Sequence, residues 1–510
     1  MRRAFRNPRR VFYAVFAQLL RLQDEADLNW RWALGAEPAT DYATWLLSRR
    51  CEPCAQSVGG GRELFTLLLD VGGADAHQID ASCESILRQS HQGWRICLVG
   101  APANPEAAER VASWKQKLGC RLADGREQID GSSLIGCFRA GDVMSDAALA
   151  TFAACFEQRP EMTLAYCDET RIDHSGRLTR IWRPGWSPTL QRSVNYIGRA
   201  AVFRRRLLGE DDDWRGREPD ALIERLVSRS GSSVGSIARP LFTFPTAPSP
   251  APKAAESIYS GPSPLVSIII PTRDRTDLLE PCLESVFART HYGNYEVMLV
   301  DNGSRQSRTH APIGRMQREQ TRFKLLRSPG RFNFSALCNA GADAAAGRYL
   351  LFLNNDTEIV TPDWIERLLF FATQAGIGAV GAKLLFPDRT VQHVGVVLGM
   401  GGVAGHFGAG LKETAPGWMG RNLYPHDVSA VTGACLMVER RKFEAAGRFD
   451  EENLPVDLND VDLCLRLSEK GWRCVCQSQA VLIHRQSASR GGGLRLQRVY
   501  AGERRYFMER

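Results

Sequence analysis

From Leu265 the chain reads LVSIII, an unbroken apolar, β-branched run of the kind that a strand buried on both faces requires. PTRDRTD follows as a turn. Leu278, Leu279, Cys282, Leu283, Val286 and Phe287 then recur at helical spacing, and YEVMLV predicts a second strand. Strand, helix and strand on this scale predict a right-handed βαβ unit in a parallel sheet. Tyr349 to Leu353 and AVLIH, ending at His484, read as further strands. Leu463, Leu465 and Leu467 predict an apolar helix.

The same pattern occurs about two hundred residues earlier. FTLLLDV (Phe65 to Val71) stands for the first strand, and CESILRQSHQGWRICLV stands for LESVFARTHYGNYEVMLV. Glu84-Ser85 matches Glu284-Ser285, and His91 and Gly93 match His291 and Gly293. One inserted residue then sets Trp94 opposite Tyr295. Polar identities inside an apolar frame point to internal duplication. The copies differ at the strand end, where Gly100 stands opposite Asp301.

A Pro/Ala/Ser-rich run from Thr243 to Pro264 has the composition of a linker. The expected organisation is therefore a basic amphipathic helical segment (1–60), a first α/β domain (61–242), the linker (243–264) and a second α/β domain (265–510). The 510 residues carry 65 Lys and Arg against 57 Asp and Glu, a net charge of +8 that selects no partner class. No recognisable nucleic-acid module is present. The N-terminal MRRAFRNPRRVFYAVFAQLL lacks a cleavage site of the A-x-A type. It reads as a packed surface helix or as a peripheral contact with a membrane surface. Cys51-x-x-Cys54 and Cys474-x-Cys476 have no second pair at zinc-site spacing. Reduced thiols and a cytoplasmic location are expected.

In an open parallel sheet, ligands bind beyond the carboxyl ends of the strands. Asp301 in DNGS, Asp356 in LNNDTE, and Asp460 and Asp462 in LNDVDLCLRL fall at such positions. Each alone is an ordinary cap or turn residue; together in one half they favour a shared site. His484 follows a strand and is either structural or, beside an acid-lined cleft, a metal ligand or base. The Gly-rich stretch Arg490 to Gly493 is either a plain loop or a lid near phosphates.

PTRDR, DNGS, LNNDTE, VTGACLMVERRKFEAAGRFDE, NDVDLCLRL and HRQSASRG occur in that order between Pro264 and Gly493. Together they resemble the family 2 glycosyltransferases, inverting GT-A enzymes that use nucleotide-sugar donors. VQHVGVVLGMGGVAGHFG also resembles the subgroup that builds O-antigens and related bacterial surface polysaccharides, rhamnosyltransferases among them. The resemblance implies two tandem GT-A-like, Rossmann-like domains with mostly parallel sheets. It implies that Pro271, Thr272, Arg273, Asp301, Asn354 and Asn355 meet the nucleotide sugar. Asp356 and His484 would hold a divalent cation, Mg²⁺ or Mn²⁺. Asp460 would be the general base, and Thr432, Gly433, Ala434, Asn459 and Asp462 would line the acceptor side. Asn354 departs from the family's D-x-D pattern and is a weaker oxygen ligand than an acid.

The expected partners are a nucleotide-sugar donor and a glycan or lipid-linked glycan acceptor. A peripheral contact with the cytoplasmic face of the inner membrane is also expected. In the first half, Gly141 stands opposite Asp356 and Arg139 opposite Asn354, although a one-residue shift would bring Asp142 there instead. Asp220 is the remaining candidate for the base. The first half therefore reads as a degenerate transferase domain, or as a second active one if Arg139 supplies the charge of the metal. A non-catalytic glycan-binding or assembly protein is the competing reading for the whole chain.

Overall fold

The computed structural model describes residues 63–122, 131–173, 175–209, 212, 218–231, 233–245, 257–400, 403–485 and 500–510. The expected N-terminal helical segment, Cys51, Cys54, the middle of the linker and the Gly-rich stretch after His484 lie outside the described residues. The described residues form two compact units.

The first half of the sequence contributes β1 (Phe65–Asp70), α1 (Ala76–Leu87), β2 (Trp94–Val99), α2 (Pro105–Leu118), β3 (Leu134–Arg139) and β4 (Val143–Met144). These are followed by α3 (Ala148–Gln158), β5 (Leu164–Ile172), β6 (Leu178–Ile181), α4 (Pro188–Ser193), β7 (Ala201–Arg204), α5 (Pro219–Ser230) and β8 (Val234–Pro245). The sheet order is β2-β1-β3-β7-β5-β8-β4, with β6 on β5. Strands β2, β1 and β3 are parallel, whereas β7 enters antiparallel between β3 and β5.

The second half begins with β9 (Val266–Thr272), α6 (Thr276–Arg289), β10 (Tyr295–Asp301), α7 (Ser307–Glu319), β11 (Phe323–Arg327), α8 (Phe334–Ala344), β12 (Tyr349–Leu353) and β13 (Thr357–Ile359). Then come α9 (Trp364–Ala372), β14 (Ile377–Leu385), β15 (Val391–His393), β16 (Val396–Leu398), β17 (Ala404–His406), β18 (His426–Val428) and β19 (Cys435–Glu439). The last elements are α10 (Arg440–Ala445), α11 (Asn459–Glu469), β20 (Arg473–His484) and α12 (Ala501–Glu509). The order β11-β10-β9-β12-β19-β14-β20-β13 makes a mixed sheet. Its parallel run is β11-β10-β9-β12, and β19 interrupts it antiparallel, as β7 does in the first unit. The apolar runs behave as the pattern requires: every residue of β9 and of β10 is buried. Helix α8 approaches the sheet so closely that a Cβ on Gly341 would fall 2.5 Å from Ile269 Cγ2.

The two units repeat each other in register as well as in order. Phe65 pairs with Trp94 and Leu134, and Val266 pairs with Tyr295 and Tyr349. Ser85 Oγ donates to Ser82 O and accepts from Met144 N at 3.2 Å. Ser285 Oγ donates to Cys282 O and accepts from Ile359 N at 3.1 Å. Leu134 therefore corresponds to Tyr349, and Met144 to Ile359. Both give one frame, with Arg139 opposite Asn354 and Gly141 opposite Asp356. The shifted frame, with Asp142 opposite Asp356, is excluded.

Two boundaries differ from expectation. Thr243 to Pro245 complete β8 rather than start a linker. At the other end of that run, Ser257 is buried and Tyr259 N donates to Glu366 O at 3.1 Å. Residues Trp186–Tyr196, read as part of the first half, belong to the second compact unit. Asp427 holds them there. Its carboxylate accepts from Ser187 Oγ at 2.7 Å, Thr189 N at 2.9 Å and Thr189 Oγ1 at 3.1 Å, and it pairs with Arg473. Periodicity could not reveal this, because the contact joins residues about 240 positions apart. Asp427→Ala strands these donors and should destabilise the second unit by about 2–3 kcal/mol, read as a lower urea midpoint.

Candidate active site

The second unit gathers its polar residues at the carboxyl ends of β9, β10 and β12. Thr272 and Asp301 are direct neighbours across the β9–β10 ladder. Asn302 N donates to Thr272 O at 2.8 Å, and Asn355 Nδ2 donates to Thr272 Oγ1 at 2.9 Å. Pro271 and Thr272 are buried, while Arg273 is exposed. Asp274 and Arg275 take left-handed conformations (φ 53 and 51°). Asp274 Oδ1 accepts from Arg305 N and Gln306 N at 2.8 and 2.9 Å, which ties the loop after β9 to the loop after β10. These two bonds hold the Asp274 carboxyl below its ordinary pKa.

Asp301 is 1% exposed. Its Oδ1 accepts from Ser304 N at 2.9 Å and from Ser304 Oγ at 2.6 Å. Its Oδ2 has no hydrogen-bond donor among the described residues; Arg327 Nη1 lies 3.7 Å away. A buried acceptor without a donor costs about 1–3 kcal/mol, so a ligand N–H arriving there would recover that energy.

Asp356 and His484 come together, with Asp356 Oδ1 3.1 Å from His484 Nε2. Gln392 sets the tautomer. Its Nε2 donates to His484 O at 3.0 Å, which turns Oε1 toward His484 Nδ1 at 2.6 Å. Nδ1 then carries a proton, and Nε2 is the nitrogen that faces the carboxylate. Asn354 Nδ2 lies 3.3 Å from the same nitrogen. A carboxylate oxygen and an imidazole nitrogen facing one point fit a divalent cation. Among the described residues no group of three or more His, Cys, Asp or Glu side chains is set to hold an ion. Two side-chain ligands suit a cation that keeps waters and takes its remaining oxygens from substrate phosphates.

Asp460 is the second residue of α11, and Leu458 before that helix is left-handed (φ 59°). Asp460 Oδ2 accepts from Gly433 N at 2.7 Å and Oδ1 from Val461 N at 2.8 Å. Ala434 O accepts from Asn354 N at 3.1 Å. The tripeptide Thr432–Gly433–Ala434 therefore bonds the Asp460 side on one peptide and the Asn354–Asp356 side on the next. Asn459 and Asp462 are engaged elsewhere. Asn459 Nδ2 donates to Ser335 Oγ at 2.9 Å, and Asp462 accepts from Arg466 at 2.8 Å and Arg510 at 3.0 Å. Both are buried structural residues on the far sides of α11. Cys474 and Cys476 are also buried, and burial pushes the Cys476 thiol up to about 12.

The first unit builds the same positions differently. Gly100 corresponds to Asp301. A Cβ there would lie 2.8 Å from Asp70 Oδ1 and 2.8 Å from Gly72 N, at a φ of +92°. Phe244 corresponds to His484, since Met144 pairs with Phe242 as Ile359 pairs with Leu482. Asp220 corresponds to Asp460: both are second in their helix, and a Cβ on Gly198 would meet Asp220 at 3.3 Å where one on Gly433 would meet Asp460. Arg199 corresponds to Ala434. Its guanidinium grips Asp142 at 2.6 and 2.8 Å, reaches Asp220 at 3.1 Å and lies 4.5 Å from the Phe244 ring centre. Burial opposes the charge, but the two carboxylates outweigh it and raise the Arg199 pKa. Arg139, the expected stand-in for a metal, instead pairs with Glu218. Sequence reading missed Arg199 because its correspondence to Ala434 is a matter of sheet register. It missed Gln392, although QH lies inside the quoted VQHVGVVLGMGGVAGHFG.

Residues 267–445 match the model of glycosyl transferase family 2. This segment is a family 2 glycosyltransferase domain. The O-antigen biosynthesis protein RfbC of Myxococcus xanthus is 34% identical over 514 residues, covering 88% of this chain and 40% of that protein. The uncharacterized protein y4gI of Sinorhizobium fredii is 30% identical over 486 residues, covering 84% of this chain and 54% of its own length. The chain thus spans about half or less of these relatives. A solved mannosyltransferase, PcManGT from Pyrobaculum calidifontis, in complex with GDP-Man and Mn²⁺, is 15% identical and covers 50% of this chain and 66% of its own, with a TM-score of 0.38.

Two outcomes follow from the family 2 domain and its counterpart. Gln392→Leu removes the group that orients His484 and should weaken Mn²⁺ binding about 10- to 100-fold by calorimetry. In a chain carrying Asp301→Ala, adding Gly100→Asp should restore no nucleotide binding and should lower the thermal midpoint, because the new side chain meets Asp70 and the Gly72 backbone.

Proposed function

We propose that the second unit transfers a sugar, with inversion, from a nucleoside-diphosphate sugar to a glycan acceptor of bacterial surface polysaccharide. The observation that carries this reading is the Thr432–Gly433–Ala434 bridge between Asp460 and the Asn354–Asp356 corner. The similarity to the O-antigen biosynthesis protein supports the choice of glycan. No helix among the described residues is long and apolar enough to cross a membrane, and a lipid-linked acceptor met at the membrane surface remains part of the proposal.

In this reading Asp301 Oδ2 accepts the ring N–H of a pyrimidine base, and Thr272 and Arg273 flank the ribose. Asn355 keeps Thr272 in place through its 2.9 Å bond. Asp356 and His484 would hold a divalent cation, which when bound would neutralise charge developing on the diphosphate. Asp460 accepts the proton of the acceptor hydroxyl as that oxygen attacks the anomeric carbon on the face opposite the diphosphate. The new C–O bond forms as the bond to phosphate breaks, and the anomeric centre inverts without a protein nucleophile. Two backbone N–H bonds on Asp460 leave its carboxylate with further acceptor capacity for that proton.

We assign the first unit a non-catalytic role. Arg199 stands where the second unit has Ala434, and it engages Asp220, the residue corresponding to the base. Gly100 and Phe244 supply neither the base-reading acid nor the imidazole.

The test is a panel of nucleotide sugars, with and without Mg²⁺ or Mn²⁺, scored by nucleoside diphosphate release. Asp460→Asn should lower turnover by about 100-fold or more while leaving donor affinity intact. Asp301→Ala should instead weaken donor binding. Turnover surviving Asp460→Asn removes Asp460 as the base, and activity that tracks Arg199 or Asp220 substitutions reverses the choice of unit.

A further inference from the structure

His393 ends β15 and His406 ends β17 of the β16–β17 hairpin, and the mechanism above uses neither. His393 is fully buried, and His406 is exposed as a residue. Their Nδ1 atoms lie 2.8 Å apart, and the rings cross edge to face. Two imidazole nitrogens at that distance must share one proton, so one ring donates and the other accepts.

The backbone decides which. Gly395 N donates to His393 Nε2 at 3.2 Å, so that nitrogen carries a lone pair. The proton of His393 is therefore on Nδ1, donated to His406 Nδ1. The proton of a neutral His406 is then on Nε2, the ring edge away from His393. Burial keeps His393 neutral by holding it well below the ordinary imidazole range, as this polarity requires. Desolvation lowers the His406 pKa too, with the Asp460 carboxylate opposing.

The hairpin is tied to the segment that leads into the Thr432–Gly433–Ala434 turn, with His406 opposite Val396 on the ladder. Val396 N donates to Ala430 O at 2.9 Å, two residues before Thr432, and Phe407 N donates to Gly395 O at 2.8 Å. The segment that places Gly433 against Asp460 thus also holds Val396, the residue opposite His406.

We propose that His406 is an acceptor-binding residue: its Nε2–H donates to the oxygen of the acceptor hydroxyl whose proton points to Asp460. This rests on the reading of Asp460 as base. The hydroxyl is then an acceptor toward His406 and a donor toward Asp460. The chain Gly395 N–H, His393, His406 leaves Nε2 no lone pair, so the hydroxyl proton goes to Asp460 as the oxygen bonds to the anomeric carbon. His393 is a positioning residue that holds the polarity.

The test uses the full chain with its preferred nucleotide sugar, comparing donor hydrolysis by water with transfer to octyl glycosides. His406→Ala should lower transfer about tenfold or more, through acceptor KM and kcat together. Nucleoside diphosphate affinity should stay within about twofold of wild type, and any loss of donor hydrolysis should be smaller than the loss of transfer. His393→Phe removes the Nδ1–H donor and should give a smaller loss of the same kind, with a lowered thermal midpoint because Gly395 N–H loses its acceptor. Unchanged transfer in His406→Ala overturns the proposal, as does an equal loss of donor affinity. If transfer survives Asp460→Asn, the base assignment fails whatever His406 does.

Discussion

The second unit depends on a three-residue turn, Thr432–Gly433–Ala434, that bonds two distant parts of the chain at once. Gly433 N fixes one Asp460 oxygen at 2.7 Å, and Ala434 O receives Asn354 N at 3.1 Å. Neither partner is near the turn in sequence. The turn leads directly into β19, which lies antiparallel against β12 in the middle of the sheet. Its position is therefore set by a ladder of backbone bonds with every residue of β12 buried, not by loop chemistry. A Cβ at Gly433 would meet Phe334 at 3.5 Å and Asp460 at 3.6 Å, ordinary van der Waals contacts, so the turn is held by its backbone bonds and not by the absence of a side chain.

The same scaffold in the first unit takes a different local solution. The strand order, the interrupting antiparallel strand and the paired serine bonds are retained. Five site positions differ: Gly100 for Asp301, Arg139 for Asn354, Gly141 for Asp356, Phe244 for His484 and Arg199 for Ala434. A buried cluster of carboxylates needs positive charge, because unpaired charge in a low-dielectric interior costs several kcal/mol. In the first unit Arg199 supplies it from within the chain, in a bidentate pair with Asp142. In the second unit the corresponding corner sets the Asp356 carboxylate beside the His484 imidazole instead. One part of the difference between the two corners is thus which residue, Arg199 or Ala434, follows a glycine before a central strand.

Much of this was legible before any coordinates. Alternation and apolar runs gave the βαβ openings of both halves, since strands buried on two faces leave an unmistakable pattern. The shared Glu-Ser and His-x-Gly identities exposed the duplication, and Ser85 and Ser285 turn out to make matching bonds. Asp301, Asp356 and Asp460 were visible because acids at strand ends interrupt apolar runs. Asn459 and Asp462 were grouped with Asp460 because adjacent residues look alike in sequence. On a helix they point in different directions, and these two turn inward to Ser335, Arg466 and Arg510.

The sequence by itself determined the element types, the repeat and the family of the second half, because these follow from periodicity and from local motifs. Only the tertiary structure decided the rest. It fixed the frame that sets Gly141 against Asp356, assigned Trp186–Tyr196 to the second unit, put Arg199 where the other half keeps Ala434, and gave His484 its tautomer through Gln392. Each of these rests on a hydrogen bond or ladder register between residues tens to hundreds of positions apart. Such contacts leave no periodic trace in the chain, because their partners are chosen by how the sheet closes and not by their neighbours in sequence.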